Sequence, residues 1–286
     1  MIGGKTRVFA ILGDPVAHSL SPAMHNAAFR ALGLDAAYVP LCVSSDQVPA
    51  AMTLLARAGV GGNVTVPHKE TAARAAGQPS PRVTRLGACN TFWGADGALL
   101  AENTDVDGVL AALRELEAPA TAWLIAGTGG GARAAVAAAL ELGARIAIHS
   151  RDAGRRTAFE EWAMGQGVAI AAGADCEVLI NTTPLGLKPG DHLPLAHEEA
   201  PRAQVAFDMV YARGGTAWTR ALRQDGLRVA DGRVMLVAQG AAAFRHWFPD
   251  EDPPVEVMRA AVNDALRLGT RGRRALAAPG GVPDLW

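Results

Sequence analysis

Residues 122–132, AWLIAGTGGGA, decide the fold. An apolar run of strand length ends at Gly127. Glycines then occupy 129–131, and an alanine-rich helical pattern continues to Leu142 and stops at Gly143. The spacing fits G-x-G-x-x-A, with Gly127, Gly129 and Ala132 at the small positions. Gly127 permits the tight turn, and Gly129 lets the backbone approach a pyrophosphate. Ala132 lets the helix lie close on the sheet while its first N–H groups face the phosphates. A lone match would be weak, but the next strand, ARIAIHS (144–150), completes a βαβ frame. The stretch therefore predicts a Rossmann-like dinucleotide site.

The end of that next strand selects the dinucleotide. An NAD site usually places an acid there for the ribose 2′-hydroxyl. Here His149-Ser150-Arg151 end the strand, with Arg155 and Arg156 one turn on. A guanidinium stacks on adenine and pairs with a 2′-phosphate, and Ser150 can donate to it. Asp152 either repels that phosphate or caps the coming helix, and capping is the preferred reading. NADP(H) is expected ahead of NAD(H).

Outward from this core the chain keeps alternating. Further strands are expected at CEVLINT (176–182) and QVAFDMV (204–210), and helices at Val237–Phe248 and Val255–Leu268. Upstream, RVFAILG, AAYVPLCV and GGNVTVP read as strands. Helical patterns SPAMHNAAFRALGL and SDQVPAAMTLLARAG lie between them. Ser21 followed by Pro22 is N-cap and N1 chemistry, and Gly33 and Gly59 sit at helix stops. Such alternation implies a second, mostly parallel α/β sheet. The Arg-, Gly- and Pro-rich end, from Thr270, reads as a loosely held tail.

Composition narrows the function classes. With 50% hydrophobic and 19% charged residues the profile is globular. A formal net charge of −1 gives no field to recruit nucleic acid or an anionic membrane. The apolar run Val8–Leu12 is too short for a membrane span or a signal-peptide core. Cys42, Cys89 and Cys176 are odd in number and widely spaced, which fits reduced thiols in the cytoplasm rather than a disulfide framework or zinc site. His192 and His197 lack paired ligand spacing and read as surface, so no metal is expected.

Residues 61–70, GGNVTVPHKE, carry the chemistry. Asn63 and Thr65 share one strand face, Pro67 ends the strand pattern, and Lys69 can turn its ammonium back toward that face. Asp105, in AENTDVDGV, lies just before the nucleotide unit, where a carboxylate near Lys69 would complete a proton-transfer pair. His18, His25 and His68 are read as packing and capping residues.

Taken together, these motifs resemble the shikimate dehydrogenase family over nearly the whole chain. GDPVAHSLSPAMHNAAF resembles its N-terminal substrate motif and GGNVTVPHK its lysine motif. GACNT, NTD, GTGGGAR, LINTTPLG, DMVY and DGRVMLVAQGAAAF follow in matching order and spacing.

The resemblance implies roles position by position. Ser19 and Ser21 would bind the substrate carboxylate, and Asn63, Thr65, Asn90, Tyr211 and Gln239 the ring hydroxyls and remaining edge. Lys69 would be the acid/base, with Asp105 bonded to it and to substrate. Gly127, Thr128, Gly129, Gly130 and Gly131 would hold the pyrophosphate, and Ser150, Arg151 and Arg155 the adenosine phosphate. Thr182, Met209, Gly232 and Met235 would surround the nicotinamide. It implies reversible NADPH-dependent reduction of 3-dehydroshikimate to shikimate by a monomer or homodimer. A substrate domain (1–107 and 238–286) would enclose a nucleotide domain (108–237).

The sequence departs from the family pattern at four places. Ala101 stands where glycine is usual, Cys89 where valine is common, YARGGT lacks a proline, and Asp152 replaces a frequent threonine. Two other readings remain. One is an NAD-using quinate/shikimate dehydrogenase or a relative acting on an analogue. The other is a catalytically silent nucleotide- or metabolite-binding regulator.

Overall fold

The computed structural model describes residues 2–188 and 190–268, so the Arg-rich end beyond them lies outside the described residues. Two α/β layers follow one another along the chain. The first begins with β1 (Arg7–Gly13), α1 (Ser21–Ala31), β2 (Ala36–Cys42), α2 (Val48–Arg57) and β3 (Gly61–Val64). It continues with α3 (Lys69–Ala75), β4 (Gln78–Pro79), α4 (Pro81–Leu86), β5 (Thr91–Ala95) and β6 (Ala98–Glu102). Its six-stranded sheet runs β2-β1-β3-β5-β6-β4. Three neighbouring pairs are parallel, while β3–β5 and β5–β6 are antiparallel.

The β5–β6 hairpin was not anticipated, although Asp96-Gly97 announces it. Both residues have positive φ, 51° and 77°, which matches the strand twist in a two-residue turn. At the start of α1 the expected cap is displaced by one residue. Leu20 occupies the cap, Ser21 is already helical, and Ser19 Oγ accepts the Ser21 N–H at 3.2 Å. Pro22 is tolerated because the first-turn N–H groups have no helical acceptor.

After α5 (Asp105–Glu115), the second sheet is built from β7 (Ala122–Ala126), β8 (Arg145–His149), β9 (Val178–Asn181), β10 (Val205–Asp208) and β11 (Arg228–Ala230). Helices α6 (Gly130–Leu142), α7 (Ala153–Gly165) and α8 (Ala217–Gln224) cover it, and α9 (Gly232–Trp247) and α10 (Val255–Leu268) follow. The strands run β11-β10-β9-β7-β8, all parallel. Ile170 bridges to Ile146 beyond β8, a single-residue vestige of a sixth strand. With it the order is that of a Rossmann sheet, and the order reverses between β7 and β9, where a ligand crevice opens.

Alanine-rich α6 lies against this sheet because its small residues keep it close. Ala132, Ala134, Ala135, Ala138 and Ala139 are fully buried with Trp123, Ile125 and Ile146. Each large apolar side chain so buried stabilises by roughly 1.5–3 kcal/mol before entropy is counted. Helix α9 starts five residues earlier than its apolar pattern suggests, capped by Asp231, whose side chain accepts from Arg233 N. Its Met235 joins the core of the second sheet, while Val237, Ala241 and Phe244 join Phe9, Met24 and Phe29 of the first. Helix α5 likewise sends Val106, Val109 and Leu113 into the second core. Positions 107/108 and 237/238 thus fall inside helices that run from one layer to the other.

Candidate active site

The parallel strands of the first layer end at one edge, and the site grows from that edge. Lys69 opens α3 just beyond β3, and Asp105 opens α5 just beyond β6. Lys69 Nζ donates to Asp105 Oδ2 at 2.6 Å, and both side chains are mostly buried. The Lys69 carbonyl accepts from Cys89 N at 2.9 Å, which ties α3 to the GACNT segment.

Asn90 organises the polar floor. Its Nδ2 donates to Asp105 Oδ1 and Thr104 Oγ1 at 3.0 Å each and reaches Gln239 Oε1 at 3.3 Å. Its Oδ1 accepts from Thr104 N at 2.7 Å. Asn63 stands opposite Thr91 across β3–β5 and donates to Asn90 O at 3.1 Å and Thr91 Oγ1 at 3.0 Å. Its Oδ1 accepts from Tyr38 at 2.7 Å, so both amide hydrogens are committed within the protein. Thr65 lies past the end of β3, with its N–H still bonded to Leu12 O at 2.8 Å.

Ser19, on the loop after β1, and Ser21, the first residue of α1, flank Leu20, and Tyr211, from the second layer, hydrogen-bonds the Leu20 backbone. Burial raises the Tyr211 phenol above its ordinary value, so it stays neutral. The three are thereby gathered at one place. The histidines divide three ways. His25 is fully buried, with desolvation lowering it to about 3, and it stacks on Tyr38 at 4.5 Å between centroids. His68 is bonded to Ser45 Oγ and Val43 O and caps nothing with its side chain. His18 is exposed rather than packed.

A cleft of about 590 Å³ adjoins Lys69. Gly127, Thr128, Gly129, Gly130, Gly131, Ser150, Arg151, Arg155 and Thr182 all line it. Gly127 has φ 110°, and a side chain there would meet Thr182 Oγ1 at 2.5 Å; both facts require glycine. Around Gly129 there is open space instead, room for an approaching diphosphate. Met209 and Thr182 close on Gly131, Gly232 presses on the Met209 carbonyl, and Met235 and Met209 belong to the same apolar core. Met209, Gly232 and Met235 are not among the residues that line this cleft. The residues present fit a phosphorylated dinucleotide: a glycine cradle, a helix N-terminus and two guanidinium groups.

Matches to known proteins cover the chain. Residues 11–92 match the shikimate dehydrogenase substrate binding domain, and residues 232–262 the shikimate 5′-dehydrogenase C-terminal domain. The shikimate dehydrogenase (NADP(+)) of Nostoc sp. is 36% identical over 94% of this chain and 100% of its own length. That of Rubrobacter xylanophilus is 39% identical over 92% and 97%. The chain belongs to the shikimate dehydrogenase family. The solved shikimate 5-dehydrogenase of Thermus thermophilus, in complex with NADP(H) and shikimate, superposes with a TM-score of 0.82 at 36% identity, covering 91% of this chain and 99% of that one.

In this shikimate dehydrogenase family member several cleft residues escaped the sequence reading. His149, Thr183, Pro184, Leu185, Leu193 and Pro194 also line the cleft, and His149 Nδ1 lies 2.6 Å from Glu199 Oε2. The LINTTPLG motif pointed to the first of these loops, but no local signal joins His149 to Glu199, fifty residues away. His192, expected on a surface loop, is exposed at the cleft rim. Asp152 caps α7, accepting from Arg155 N at 3.0 Å.

Asp208, at the end of β10, is fully buried and accepts from Asn181 Nδ2 (2.8 Å), Val210 N (3.0 Å) and Thr216 Oγ1 (2.7 Å). Desolvation outweighs these donors and raises its carboxyl to about 6. Among the described residues, no group of three or more His, Cys, Asp or Glu could hold a metal ion. No described helix is long and apolar enough to cross a membrane.

Proposed function

We propose that this enzyme is an NADP-dependent shikimate dehydrogenase, catalysing the reversible reduction of 3-dehydroshikimate to shikimate in the chorismate and aromatic amino acid route. The observation that carries the reading is the Lys69–Asp105 pair at 2.6 Å on the edge of a cleft built for a dinucleotide. When bound, NADPH supplies the hydride. Lys69 gives a proton to the ring oxygen as the carbonyl becomes a hydroxyl, and takes it back in the reverse direction. Asp105 holds the Lys69 ammonium in place and accepts from the substrate, and Asn90 orients Asp105.

Ser19 and Ser21 bind the substrate carboxylate through hydroxyl and backbone donors. Thr65, Asn90, Tyr211 and Gln239 meet the ring hydroxyls. Asn63 contributes through the one lone pair left on Oδ1 and by bracing Asn90. A site that hydrogen-bonds each hydroxyl rejects analogues lacking one. Gly127 to Gly131 hold the pyrophosphate, Ser150, Arg151 and Arg155 the 2′-phosphate, and Thr182, Met209, Gly232 and Met235 the nicotinamide end.

We assign residues 1–107 and 238–286 to the substrate domain and 108–237 to the nucleotide domain, with α5 and α9 as the elements on which they join. The small-molecule substrate and cofactor need no nucleic-acid or membrane partner, and we place the enzyme in the cytoplasm as a monomer or homodimer. Nicotinamide absorbance followed with shikimate or quinate, each with NADP⁺ or NAD⁺, tests the reading. Turnover concentrated in shikimate with NADP⁺ supports it. Preference for quinate or NAD⁺ replaces the specificity, and silence from a folded, NADPH-binding protein overturns it.

A further inference from the structure

We propose that Arg133 is a positioning residue that couples the cofactor loop to the helix bearing Lys69. Arg133 stands in the first turn of α6, its own N–H closing on Gly129 O at 3.0 Å. It therefore moves with the glycine loop. Its guanidinium nonetheless reaches out of the second layer into the first. Nη1 donates to Leu86 O at 2.9 Å, and Nε lies 3.7 Å from Glu70 Oε1. Its Cζ lies over the Trp162 ring on α7, 4.5 Å from the ring centroid, a cation–π contact.

Both targets lead directly to the reacting groups. Leu86 ends α4, where the last carbonyls have no helical donor, and Gly87 turns away with φ 61°. Three residues on, Cys89 N donates to Lys69 O, and Asn90 donates to Asp105. Glu70 is the residue next to Lys69. Arg133 thus grips the segment that anchors the Lys69 backbone and touches the neighbour of Lys69 as well. The two layers are already in contact here, since a side-chain carbon at Gly130 would come within 3.1 Å of Lys69 Cδ. Arg82–Glu141 and Arg85–Gln166 also bridge the layers, but they touch neither the loop nor α3.

A cation held by one carbonyl, one carboxylate and one ring sets the spacing between the glycine loop and the Lys69–Asp105 pair. Hydride transfer is steep in that spacing, because small misplacements of reacting atoms cost large factors in rate. The inference rests on the dehydrogenase reading, and wild-type turnover with shikimate and NADP⁺ checks that reading first and separately.

The test compares Arg133→Met and Arg133→Lys with wild type, using shikimate carrying deuterium at the carbon that gives the hydride. For Arg133→Met, kcat is expected to fall about 10- to 100-fold, while the KM for NADP⁺ changes far less. The primary isotope effect on kcat rises toward its limiting value. Arg133→Lys keeps a donor for Leu86 O and restores part of the rate. Glu70→Gln, which weakens one contact without removing the arginine, gives a smaller loss in the same direction and serves if Arg133→Met does not fold. A purely structural role would scale the active fraction and leave the isotope effect unchanged. A rise in KM for NADP⁺ at constant kcat would make Arg133 a cofactor-binding residue. Either result overturns the proposal.

Discussion

Lys69 and Asp105 are each the first residue of a helix, and their side chains meet at 2.6 Å across the space between α3 and α5. A helix start favours a carboxylate and disfavours an ammonium. Asp105 therefore sits well by itself, whereas Lys69 depends on it. Replacing Asp105 with Asn keeps the shape, and the hydrogen bond from Asn90, but removes the charge that holds the ammonium. We expect kcat to fall by roughly 10²-fold or more in a protein of near-normal circular dichroism. Retention of full kcat would show that the pair is structural.

Asp152 departs from the family pattern, and its side chain is spent on the α7 cap. Asp152→Ala should lower stability by about 1 kcal/mol, a thermal shift of about 2–4 °C for a chain of this size class. Turnover with NAD⁺ should be unchanged, and the preference for NADP⁺ should hold. Loss of NAD⁺ turnover in this variant would mean that Asp152 reads the ribose.

Buried Tyr38 donates to Asn63 Oδ1 and so fixes which way that amide points. Tyr38→Phe leaves a buried acceptor without its donor, at a cost of about 1–3 kcal/mol. Urea denaturation should show this as a lower midpoint at unchanged slope. An unchanged midpoint would show that Asn63 finds another donor.

Asp208 gives the structure a pH dependence of definite sign. Its carboxyl is raised from 3.8 to about 6, so between those values the folded protein binds more protons than the unfolded chain. Stability contributed at this site is greatest at low pH, declines as pH rises through about 6, and is then constant. The difference corresponds to roughly 3 kcal/mol. In Asp208→Asn the amide oxygen keeps the Asn181 and Val210 donors and the NH₂ turns to Thr216. Stability of that variant relative to wild type should rise with pH across this window. A constant difference from pH 4 to pH 7 would contradict the assignment.

Legibility differed by type of feature. The glycine loop could be read because strand, turn and helix lie within a dozen residues and each has a local cause: an apolar run, small residues, an alanine-rich stretch. Lys69 and Asp105 could be suspected from spacing, but only the sheet order brings β3 and β6 close enough for the two to touch. The β5–β6 hairpin was hidden by the habit of alternation in the preceding residues, although Asp96-Gly97 marked it. His149–Glu199, Tyr38–Asn63 and Arg133–Leu86 join residues 50, 25 and 47 positions apart. Nothing local encodes such pairs. Asn63 was expected to face a substrate, and the structure shows most of its hydrogen-bonding capacity turned inward.

The proposed role of Lys69 is to move the proton in shikimate oxidation. The direct measurement is steady-state turnover of shikimate with NADP⁺ by wild type and Lys69→Met, with shikimate and NADPH binding measured on both by calorimetry. Methionine keeps the apolar stem and deletes the ammonium. We expect a loss of about 10²–10⁴-fold in kcat with NADPH affinity preserved. Equal turnover by the folded variant would contradict it.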